Sequence, residues 1–545
     1  MELSKINSLV ELYFIKSAEV DGKRPFLKWL KANKPTYKWE DITEGIYKIS
    51  NKIKSLINEG DRCLILSENR PYWLMSDISV MNAGGISVPI FTTYSSNDYE
   101  YIFNDCKPSL IIVSNDNQFQ KIKNYVNLKI QKIISFEKIE AESLLVQDIL
   151  NEKNFQKNIN KNLKRNMPAC IIYTSGTSGN PKGVELTHNN FKVELDSVGQ
   201  VLKFGQGDRY VSWLPLAHVF GQLVDNHHWV RRAMHMYVVD SPLNTIDYAK
   251  EVQPHLFISV PRIYEKVYSN LKAAINSKAI LKLGLKIPGI ASIFKKKLRE
   301  AAGFGSNRFS ISGAAPINPE ILEFFHFLGI PIFEGYGMTE NTAGISINYV
   351  GHNKFGSVGP CMPFFDLKIA SDGEVLIRGE NVMKGYYKNE KATNETIIDG
   401  WLHTGDVGKI DSDGYLYITG RKKEIYVSSS GKNIAPLIIE ETMKSIPIVS
   451  QCYLVGDDRK FCSALITLDM SVILRDYIGI DLNEIPKDPV KQNELIISNN
   501  KKLSDFTDNE EIFNFVSDEI EKLNQKFSNP EQIKKFSILP RDFSI

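Results

Sequence analysis

Glycines, hydroxyls and a lysine crowd together in residues 171–188, where the sequence is IIYTSGTSGNPKGVELTH. Glycine lets a loop adopt positive φ and brings backbone N–H groups close to a ligand, while hydroxyls and an ammonium group add further donors. This chemistry suits a polyphosphate. The loop therefore predicts phosphate contacts from Thr174, Ser175, Gly176, Thr177, Ser178, Gly179 and Lys182.

The P-loop of nucleotide triphosphatases is the obvious rival for this stretch. Its pattern, G-x-x-x-x-G-K-[ST], would have to start at Gly176. Pro181 then stands where the second glycine belongs, and Gly183 stands where the Mg²⁺-binding hydroxyl belongs. The P-loop pattern therefore does not match, and a plain Ser/Gly surface loop remains the second interpretation.

A second polar stretch is PIFEGYGMTE, at residues 331–340. Within it, Tyr336 can stack on adenine, Thr339 can donate to a phosphate, and Glu340 can hold Mg²⁺ through oxygen. Taken as residue types alone, this stretch is as typical of a surface turn as of a binding site.

Three further segments carry candidate groups. The backbone at residues 313–315, Gly-Ala-Ala, has only tiny side chains, so a flat ring could lie against it. Asp406, in the segment WLHTGD, is a carboxylate acceptor suited to the vicinal hydroxyls of a sugar. His218 follows the apolar segment WLPLA, where a lone histidine is more typical of a structural residue than of a functional one.

The 171–188 stretch closely resembles the phosphate loop of the adenylate-forming acid–thiol ligases, the superfamily of acyl-CoA synthetases, firefly luciferase and peptide-synthetase adenylation domains. YGMTE at residues 336–340 matches the Y-G-x-T-E motif of that superfamily. The segments LSENRPYW, SVPRIYEKVY and NPEQIKKF are most similar to the long-chain fatty acyl-CoA synthetase branch. The resemblance extends over most of the chain.

This resemblance implies roles for the residues at matching positions. It implies that Arg421 reaches the ribose together with Asp406, and that Lys423 is the hinge between a large and a small domain. Metal binding is implied for Glu340 and Thr174. Catalytic roles are implied for Lys182, Thr339, Glu340 and His218, the last at the carboxylate and acyl side of the site. Nucleotide contacts are implied for the loop residues above and for Gly313, Ala314, Ala315, Gly335, Tyr336, Gly337, Thr339, Asp406 and Arg421.

The activity that the resemblance implies is ATP-dependent ligation of a fatty acid to coenzyme A, with Mg²⁺ as the metal. The fatty carboxylate attacks the α-phosphorus of ATP and expels pyrophosphate, and the thiol of coenzyme A then attacks the acyl-adenylate and releases AMP. Three alternatives stay open: delivery to a carrier-protein thiol, a noncatalytic acyl- or nucleotide-binding relative, and, weakest, a serine hydrolase. Neither GISVP nor GISIN completes the G-x-S-x-G motif of the last class.

The end of the chain departs from the pattern of the family. Members of the family continue for some tens of residues and carry a late lysine that binds the substrate carboxylate and phosphate during adenylation. Lys534 and Lys535 precede the position of that lysine, so its role is not transferred to them. We therefore expect the small domain to be incomplete at its end, and adenylation by this chain to be slow.

The composition is that of a globular protein with more than one domain. The chain has 545 residues, of which 43% are hydrophobic and 24% charged, and this length exceeds that of a single core. Its net charge is only +2, so nucleic acid is not expected as a partner. The sequence carries no signal for an oligomeric state.

Cysteine spacing and hydropathy bear on the compartment. The six cysteines lie without any C-x-x-C spacing and are expected to be buried free thiols in a reducing compartment. Charged residues interrupt the N-terminal apolar pattern, and no segment reaches about 18 uncharged apolar residues, so neither a signal peptide nor a transmembrane helix is predicted. We expect a cytoplasmic protein, with peripheral membrane contact as an option at basic runs such as Lys295–Lys297.

Alternating elements must position these groups. The predicted elements are a helix over residues 42–56, a strand at 62–66, a helix at 71–82, a strand at 86–90, a helix at 96–105 and a strand at 110–113. This alternation predicts a parallel sheet covered by helices. Residues 115–166 are polar around short apolar runs and are expected to be connecting structure.

The later part of the chain predicts two smaller units. Residues 367–385 alternate short strands with turns, which is typical of a β-rich subdomain. Strands at 451–455 and 463–468 and an amphipathic helix from residue 508 predict a small α+β domain. The expected fold is α/β: a large N-terminal domain (residues 1–421) of helix-covered parallel sheets plus the β-rich subdomain, joined by a hinge to a small α+β C-terminal domain (residues 422–545).

Overall fold

The computed structural model describes residues 5–30, 36–174, 179–427, 433–457, 459, 461–481 and 484–543. The strands, in chain order, are β1 (Pro25–Trp29), β2 (Thr36–Lys38), β3 (Arg62–Leu66), β4 (Ile86–Ile90), β5 (Leu110–Val113), β6 (Lys132–Ser135), β7 (Leu144–Leu145), β8 (Pro168–Thr174), β9 (Lys182–Thr187), β10 (Arg209–Ser212), β11 (His235–Val238), β12 (Leu256–Ser259), β13 (Phe309–Ser312), β14 (Ile332–Tyr336), β15 (Ser346–Ile347), β16 (Asp366–Ile369), β17 (Glu374–Arg378), β18 (Gly385–Tyr386), β19 (Ile397–Ile398), β20 (Trp401–Ile410), β21 (Leu416–Arg421), β22 (Tyr426–Val427), β23 (Asn433–Ile434), β24 (Val449–Val455), β25 (Cys462–Leu468) and β26 (Ile533–Ile538).

The helices alternate with these strands in the large domain. In chain order they are α1 (Leu9–Glu19), α2 (Trp39–Lys54), α3 (Pro71–Asn82), α4 (Ser96–Cys106), α5 (Asp116–Ile122), α6 (Val146–Asn151), α7 (His188–Val201), α8 (Val219–Gly221), α9 (Trp229–Arg232), α10 (Thr245–Val252), α11 (Pro261–Ser277), α12 (Ala279–Gly284), α13 (Ile290–Ala302), α14 (Pro319–Leu328), α15 (Glu390–Thr396), α16 (Pro436–Met443), α17 (Met470–Val472), α18 (Pro489–Ser498), α19 (Ser504–Thr507) and α20 (Glu510–Asn524). Two π-helical segments, Gln222–His228 and Ile473–Ile478, interrupt the α-helical pattern.

Local sequence explains where several helices begin. Ser95 and Asp98 form a capping box at the start of α4, because the Ser95 side chain accepts from Asp98 N and the Asp98 carboxylate accepts from Ser95 N. Pro71 begins α3, where its fixed φ fits and its missing N–H costs nothing. Both helix starts are therefore encoded within a few residues, and the predicted positions of these helices are confirmed.

Two eight-stranded sheets form the large domain. The first has the order β15-β14-β13-β12-β10-β11-β1-β2, with parallel pairs inside and antiparallel pairs at both edges. The second has the order β18-β9-β8-β4-β3-β5-β6-β7, and its strands from β8 to β7 are parallel. Helices connect the parallel strands, so the predicted helix-covered parallel sheet is confirmed and is present twice.

Two segments differ from the sequence-based expectation. Residues 115–166 are more than connecting structure, because β6 and β7 extend the second sheet through short, apolar runs such as Ile133–Ile134. In the predicted β-rich subdomain, β16, β17, β20, β19 and β21 form a separate five-stranded sheet. However, β18 pairs with β9 in the second large sheet and so ties the subdomain to the phosphate-loop hairpin.

The small domain has a hydrophobic core of its own. Strands β24, β25 and β26 form a three-stranded sheet, and α16 and α20 pack on it. Its core is a separate cluster of buried residues that includes Ile439, Leu454, Ile466 and Val516. This arrangement is the predicted α+β unit.

Polar groups connect the small domain to the large one. Arg262 on α11 donates to Ser450 Oγ at 3.3 Å and lies 3.6 Å from the Asp469 carboxylate. Lys487 forms an ion pair with Asp247 of the large domain. Contacts of this kind are weaker than a shared apolar interface would be.

Two expectations about composition can be compared with the described residues. All six cysteines lie within them; none forms a disulfide, five are buried and Cys361 is half-buried. Among the helices of the described ranges, none is both long and apolar enough to cross a membrane.

Candidate active site

A cavity of about 720 Å³ lies at the carboxyl ends of the parallel strands. Thr174 ends β8, Tyr336 ends β14, and Gly313 and Ala314 follow β13 directly; all four line the cavity. Ligands of open α/β sheets bind at this edge, because successive strands deliver their last residues and loops to it. The fold therefore brings together stretches that are far apart in the sequence. Of the predicted site residues, the cavity wall includes Thr174, Lys182, His218, Gly313, Ala314, Gly335, Tyr336, Gly337, Thr339, Glu340, Arg421 and Lys423.

The predicted phosphate loop connects β8 to β9. These strands are antiparallel, with Thr174 opposite Lys182, and the Thr174 hydroxyl donates to the Lys182 carbonyl at 3.4 Å. Gly179 has φ of +119°, a conformation that side-chain-bearing residues rarely adopt, although no atom lies within 4 Å of an ideal Cβ there. Glycine is therefore required at Gly179 by backbone conformation. The predicted contacts from Ser175, Gly176, Thr177 and Ser178 lie outside the described residues.

Tyr336, Asp406 and Arg421 form one connected group. The Tyr336 hydroxyl donates to Asp406 Oδ2 at 2.6 Å, and Arg421 Nε lies 3.2 Å from Asp406 Oδ1. Asp406 and Arg421 face each other as a register pair of β20 and β21. Burial raises the pKa of Asp406, while Tyr336 and Arg421 oppose that rise. A carboxylate has about four lone-pair sites, so Asp406 keeps acceptor capacity beyond these two partners, although it lies behind Tyr336 and Arg421 and is not itself part of the cavity wall.

Glu340 lies in a buried turn beside this group. Its Oε1 accepts a 2.9 Å hydrogen bond from the Tyr386 hydroxyl, and the Lys182 ammonium lies 4.8 Å from the centroid of the same tyrosine ring. Burial raises the pKa of Glu340, and the hydrogen bond from Tyr386 acts in the opposite direction. Lys182 and Glu340 thus approach the same aromatic ring, and both face the cavity.

These residues fit a magnesium ion that is held mainly by phosphate. No cluster of three or more His, Cys, Asp or Glu side chains that could hold a metal occurs among the residues described. Mg²⁺ usually keeps several waters and is bound by one or two carboxylates plus substrate phosphates. Glu340, with acceptor capacity beyond its bond to Tyr386, and the Thr174 hydroxyl match that requirement.

His218 caps the start of α8, and His218, Val219 and Phe220 all line the cavity. His218 Nδ1 accepts a hydrogen bond from Phe220 N at 3.1 Å, so the ring proton resides on Nε2. Burial lowers the pKa of His218 and keeps the imidazole neutral. The Phe220 ring lies 3.4 Å from the position of a Cβ at Gly313, an ordinary van der Waals distance, so this ring packs beside Gly313.

Small residues let the backbone approach closely near Tyr336. An ideal Cβ on Gly337 would lie 2.0 Å from the Ala343 carbonyl oxygen, so a larger residue would displace the turn that carries Thr339 and Glu340. Ala314 and Ala315 are both exposed; Ala314, with φ of 70°, lines the cavity, whereas Ala315 is not part of the cavity wall. Gly313 and Ala314 therefore lie in the cavity wall, and a flat ring against them stays a prediction.

The segment after β21 also reaches the cavity. Lys423 lines it and is exposed, as is Lys422. Lys422 N donates to the Gly405 carbonyl at 2.8 Å, and its ammonium lies 3.1 Å from Glu374 Oε2. The predicted hinge at Lys423 thus follows a residue that is fixed to the β-rich subdomain.

A comparison with protein-family models shows to which family the chain belongs. A model of the AMP-binding enzyme family matches residues 14–387. The chain belongs to the AMP-binding enzyme family. It is 30% identical to the long-chain-fatty-acid–CoA ligase FadD15 of Mycobacterium bovis, over 93% of this chain and 88% of that relative.

Solved structures of other ligases share the fold of this AMP-binding enzyme. The anthranilate CoA ligase AuaEII, in complex with anthranoyl-AMP, superposes with a TM-score of 0.78 at 18% identity, covering 99% of this chain and 95% of that one. An o-succinylbenzoate coenzyme A synthetase from Bacillus subtilis, in complex with ATP and a magnesium ion, superposes with a TM-score of 0.70 at 20% identity, covering 97% and 96%. Both likenesses concern the fold alone.

Sequence analysis missed several residues of this AMP-binding enzyme's cavity. Tyr386 contacts both Lys182 and Glu340 but has no motif around it. Glu194 and His228 line the part of the cavity beyond His218. Glu194 carried a usable signal, because its helical spacing from Phe191 and Val198 places a charged residue on the apolar face of α7, where the structure buries it completely. His228 directly follows His227, and no motif around this pair points to a binding site.

Proposed function

We propose that this chain activates a fatty acid with ATP and transfers the acyl group to coenzyme A, giving acyl-CoA, AMP and pyrophosphate. The observation that carries this proposal is the continuity of one cavity, in which a polar end formed by Tyr336, Glu340 and Arg421 passes into an apolar section. Family membership and relatives named long-chain-fatty-acid–CoA ligases support it. The same names favour coenzyme A over a carrier-protein thiol as the acceptor.

The polar end supplies what adenylation needs. The fatty carboxylate and the triphosphate repel one another, so the first step depends on positioning and on neutralisation of negative charge. We assign phosphate contacts to Lys182 and Thr339, and ribose contacts to Asp406 and Arg421. Mg²⁺, when bound, would neutralise phosphate charge, and Glu340 with Thr174 would hold it.

The apolar section suits an alkyl chain. It extends from His218 between α7, the π-helical segment Gln222–His228 and strands β12 and β13. Its wall includes Val198, Leu202, Phe204, Leu223, Ile258 and Ile311. Because apolar walls stabilise hydrocarbon by removing it from water, this section supports a fatty acid rather than a small polar acid as the substrate.

We also propose that the chain rotates about Lys423, between a domain of residues 1–421 and a domain of residues 422–545. Two chemical steps in one cavity require different groups to approach it, and rotation at a few residues between elements is the usual means. The separate core of the small domain and its polar contacts with Arg262 and Asp247 support such a movement.

The experiment is a product assay with ATP, Mg²⁺ and a series of fatty acids, in which the thiol is coenzyme A or a carrier protein. We expect acyl-CoA and AMP in equal amounts, and ATP–pyrophosphate exchange that depends on fatty acid. Thioester formation on the carrier but not on coenzyme A would assign the chain to the alternative acceptor. ATP binding without fatty acid-dependent exchange would show a noncatalytic binding protein.

We further propose peripheral contact with an anionic membrane through α12, α13 and the residues between them. Apolar side chains are exposed on this surface, with Ile280 75%, Leu283 62% and Ile293 57% accessible. Lysines surround them at Lys278, Lys282, Lys286, Lys295, Lys296 and Lys297. Exposed apolar residues beside clustered lysines are typical of surfaces that bind anionic bilayers.

Vesicle sedimentation tests this contact. We expect the chain to bind vesicles that contain an anionic phospholipid and to bind purely zwitterionic ones weakly. The double variant Ile280→Asp, Ile293→Asp should lose binding, whereas Val490→Asp, which changes an equally exposed residue of the small domain, should keep it. Equal sedimentation of both variants would contradict the proposed surface.

A further inference from the structure

The apolar section of the cavity has a measurable depth. Glu194, Val198 and Leu202 line it from one face of α7 and its end, and eight residues of helix span about 12 Å. On the opposite wall, β13 runs from Phe309 to Ser312 and continues to Gly313 at the nucleotide end, a distance of about 13 Å. Phe204 lines the deep end and packs on Phe309, with ring centroids 5.3 Å apart. The section therefore ends at Phe204, remote from the reacting carboxylate.

His228 lies at this deep end. Its ring packs edge-on against Phe204, with centroids 4.7 Å apart, and it is only 2% exposed. It also lines the cavity, and neither ring nitrogen has a hydrogen-bond partner among the residues that the structure describes. Buried polar atoms in proteins are nearly always paired, because an unpaired donor or acceptor away from water is costly. A polar ligand atom at this end would pair them.

The backbone holds His228 in this position. It is the last residue of the π-helical segment Gln222–His228, which also directs Leu223 and Val224 into the cavity. Wide turns of this kind occur frequently at functional sites, because they re-aim side chains at the expense of regular hydrogen bonding. The adjacent His227 packs on Phe191 instead, with centroids 5.0 Å apart, and does not line the cavity.

His228 presents a neutral imidazole to the deep end of the cavity. Burial, and then Arg232 and Arg231, lower the pKa of His228 well below its usual value, so the imidazole offers one N–H donor and one acceptor. Both arginines are engaged with α7, since Arg231 donates to Asp196 at 2.8 Å and Arg232 to the Gly199 carbonyl at 3.1 Å. Burial raises the pKa of Glu194 well above its usual value, which disfavours an anion at the other end of this α7 face.

We propose that the acid which fits this cavity carries a neutral oxygen substituent, a hydroxyl or keto group, near the end remote from its carboxyl group, and that His228 recognises it. The inference rests on the proposed function, because it assigns the apolar section to the acyl chain. Either oxygen accepts a hydrogen bond from the imidazole N–H, and a hydroxyl also donates to the unprotonated nitrogen. An unsubstituted alkyl chain would leave both nitrogens unpaired.

The test compares two acids of equal chain length, one with a terminal hydroxyl and one without, in the parent and in His228→Leu. In the parent we expect kcat/KM for coenzyme A thioester formation to favour the hydroxy acid by roughly tenfold or more, because a site built for a hydroxyl rejects the analogue that lacks it. His228→Leu should reverse the order, with a loss for the hydroxy acid and a gain for the unsubstituted one. This ratio is measured within each variant, so partial misfolding cancels.

Two matched variants complete the test. His228→Gln keeps a donor and an acceptor and should retain part of the preference for the hydroxy acid. His227→Leu removes the neighbouring imidazole outside the cavity and should leave the ratio within about twofold of the parent, since specificity follows the groups that contact the substrate. A parent that uses both acids equally, with a ratio unchanged in His228→Leu, would overturn the inference and leave the proposed function intact.

Calorimetric measurement of the binding of the two acids distinguishes failure of the proposed ligase function from failure of the proposed recognition by His228. One outcome is that the parent forms no thioester from either acid and still binds the hydroxy acid more tightly than the unsubstituted one. If His228→Leu abolishes that difference in affinity, the proposed function fails and the recognition by His228 stands. If binding shows no preference either, the inference is overturned as well.

Discussion

The Tyr336 hydroxyl donates a 2.6 Å hydrogen bond to Asp406, whose other oxygen lies 3.2 Å from Arg421. Tyr336→Phe keeps the ring but removes the donor that orients the carboxylate, so we predict that ATP binds roughly tenfold more weakly. Isothermal titration calorimetry measures this change. Tyr417→Phe is the matched control, because that hydroxyl bonds Asp411 away from the cavity. Identical ATP affinities in the parent and in Tyr336→Phe would remove Asp406 from the ribose site.

Glu340→Gln should lose adenylate formation far more than ATP binding, because it removes the charge proposed to hold Mg²⁺ and leaves Tyr336 in place. We predict a fall of about 10² or more in fatty acid-dependent pyrophosphate exchange. Tyr386→Phe keeps the charge and removes only the 2.9 Å hydrogen bond to Glu340, so its loss should be smaller, about tenfold. Unchanged exchange in Glu340→Gln at saturating Mg²⁺ would disprove the metal assignment.

Lys182→Ala removes a proposed phosphate donor beside the Tyr386 ring. We predict slower adenylation, by about tenfold, because charge-assisted hydrogen bonds to phosphate are among the stronger ones. Lys384→Ala provides the comparison, since Lys384 lies on the neighbouring segment and pairs with Glu185 on the surface. If both variants exchange pyrophosphate at the parent rate, Lys182 is a surface residue without a role in the first step.

Lys423→Pro fixes φ at the proposed hinge. We expect it to hold one arrangement of the domains, so adenylate formation and thiol transfer should lose activity unequally. The two half-reactions are measured separately, the second with supplied acyl-adenylate, and Lys423→Ala shows the effect of losing the side chain alone. Equal losses in both half-reactions would point to misfolding rather than to blocked rotation.

Glu334 predicts a pH dependence of stability. Burial raises its pKa from 4.5 to about 8, so between these values the folded protein binds a proton that the unfolded chain releases. The free energy of unfolding should therefore fall as pH rises, by about 2 kcal/mol between pH 6 and pH 8. Urea denaturation at the two pH values measures this fall. Glu334→Gln, which cannot ionise, should flatten the profile, and an identical slope in both proteins would show that another group titrates.

The sequence predicted those strands and helices whose start and end are marked by residues within the element or next to it. The strands at 62–66, 86–90 and 110–113 and the helix at 71–82 have the expected bounds, because apolar runs, Pro71 and glycines mark them directly. Strands β6 and β7 were missed, since short apolar runs among lysines and asparagines become strands only when a sheet edge is available to pair with them. Their formation depends on β5, which the local pattern does not contain.

The same distinction applies to the cavity. The Y-G-x-T-E stretch and the glycine-rich loop predicted Tyr336, Glu340 and Lys182 as site residues. In both stretches the candidate groups are close together in the sequence, so a short motif contains them. Tyr386 and His228 reach the cavity from distant segments, and their contacts with Glu340 and Phe204 depend on how β18 and the π-helical segment pack. A single sequence contains no pattern for such long-range contacts.

The separate core of the small domain has a consequence for how the chain melts. Because the small domain has a separate apolar core and Arg262 and Lys487 contact it or the large domain through polar groups, we expect the two units to be weakly coupled. Weakly coupled units lose cooperativity, so heat capacity should show two melting transitions rather than one. The small domain can then unfold transiently and refold while the large domain stays folded. We therefore expect proteases to cleave the small domain before the large one.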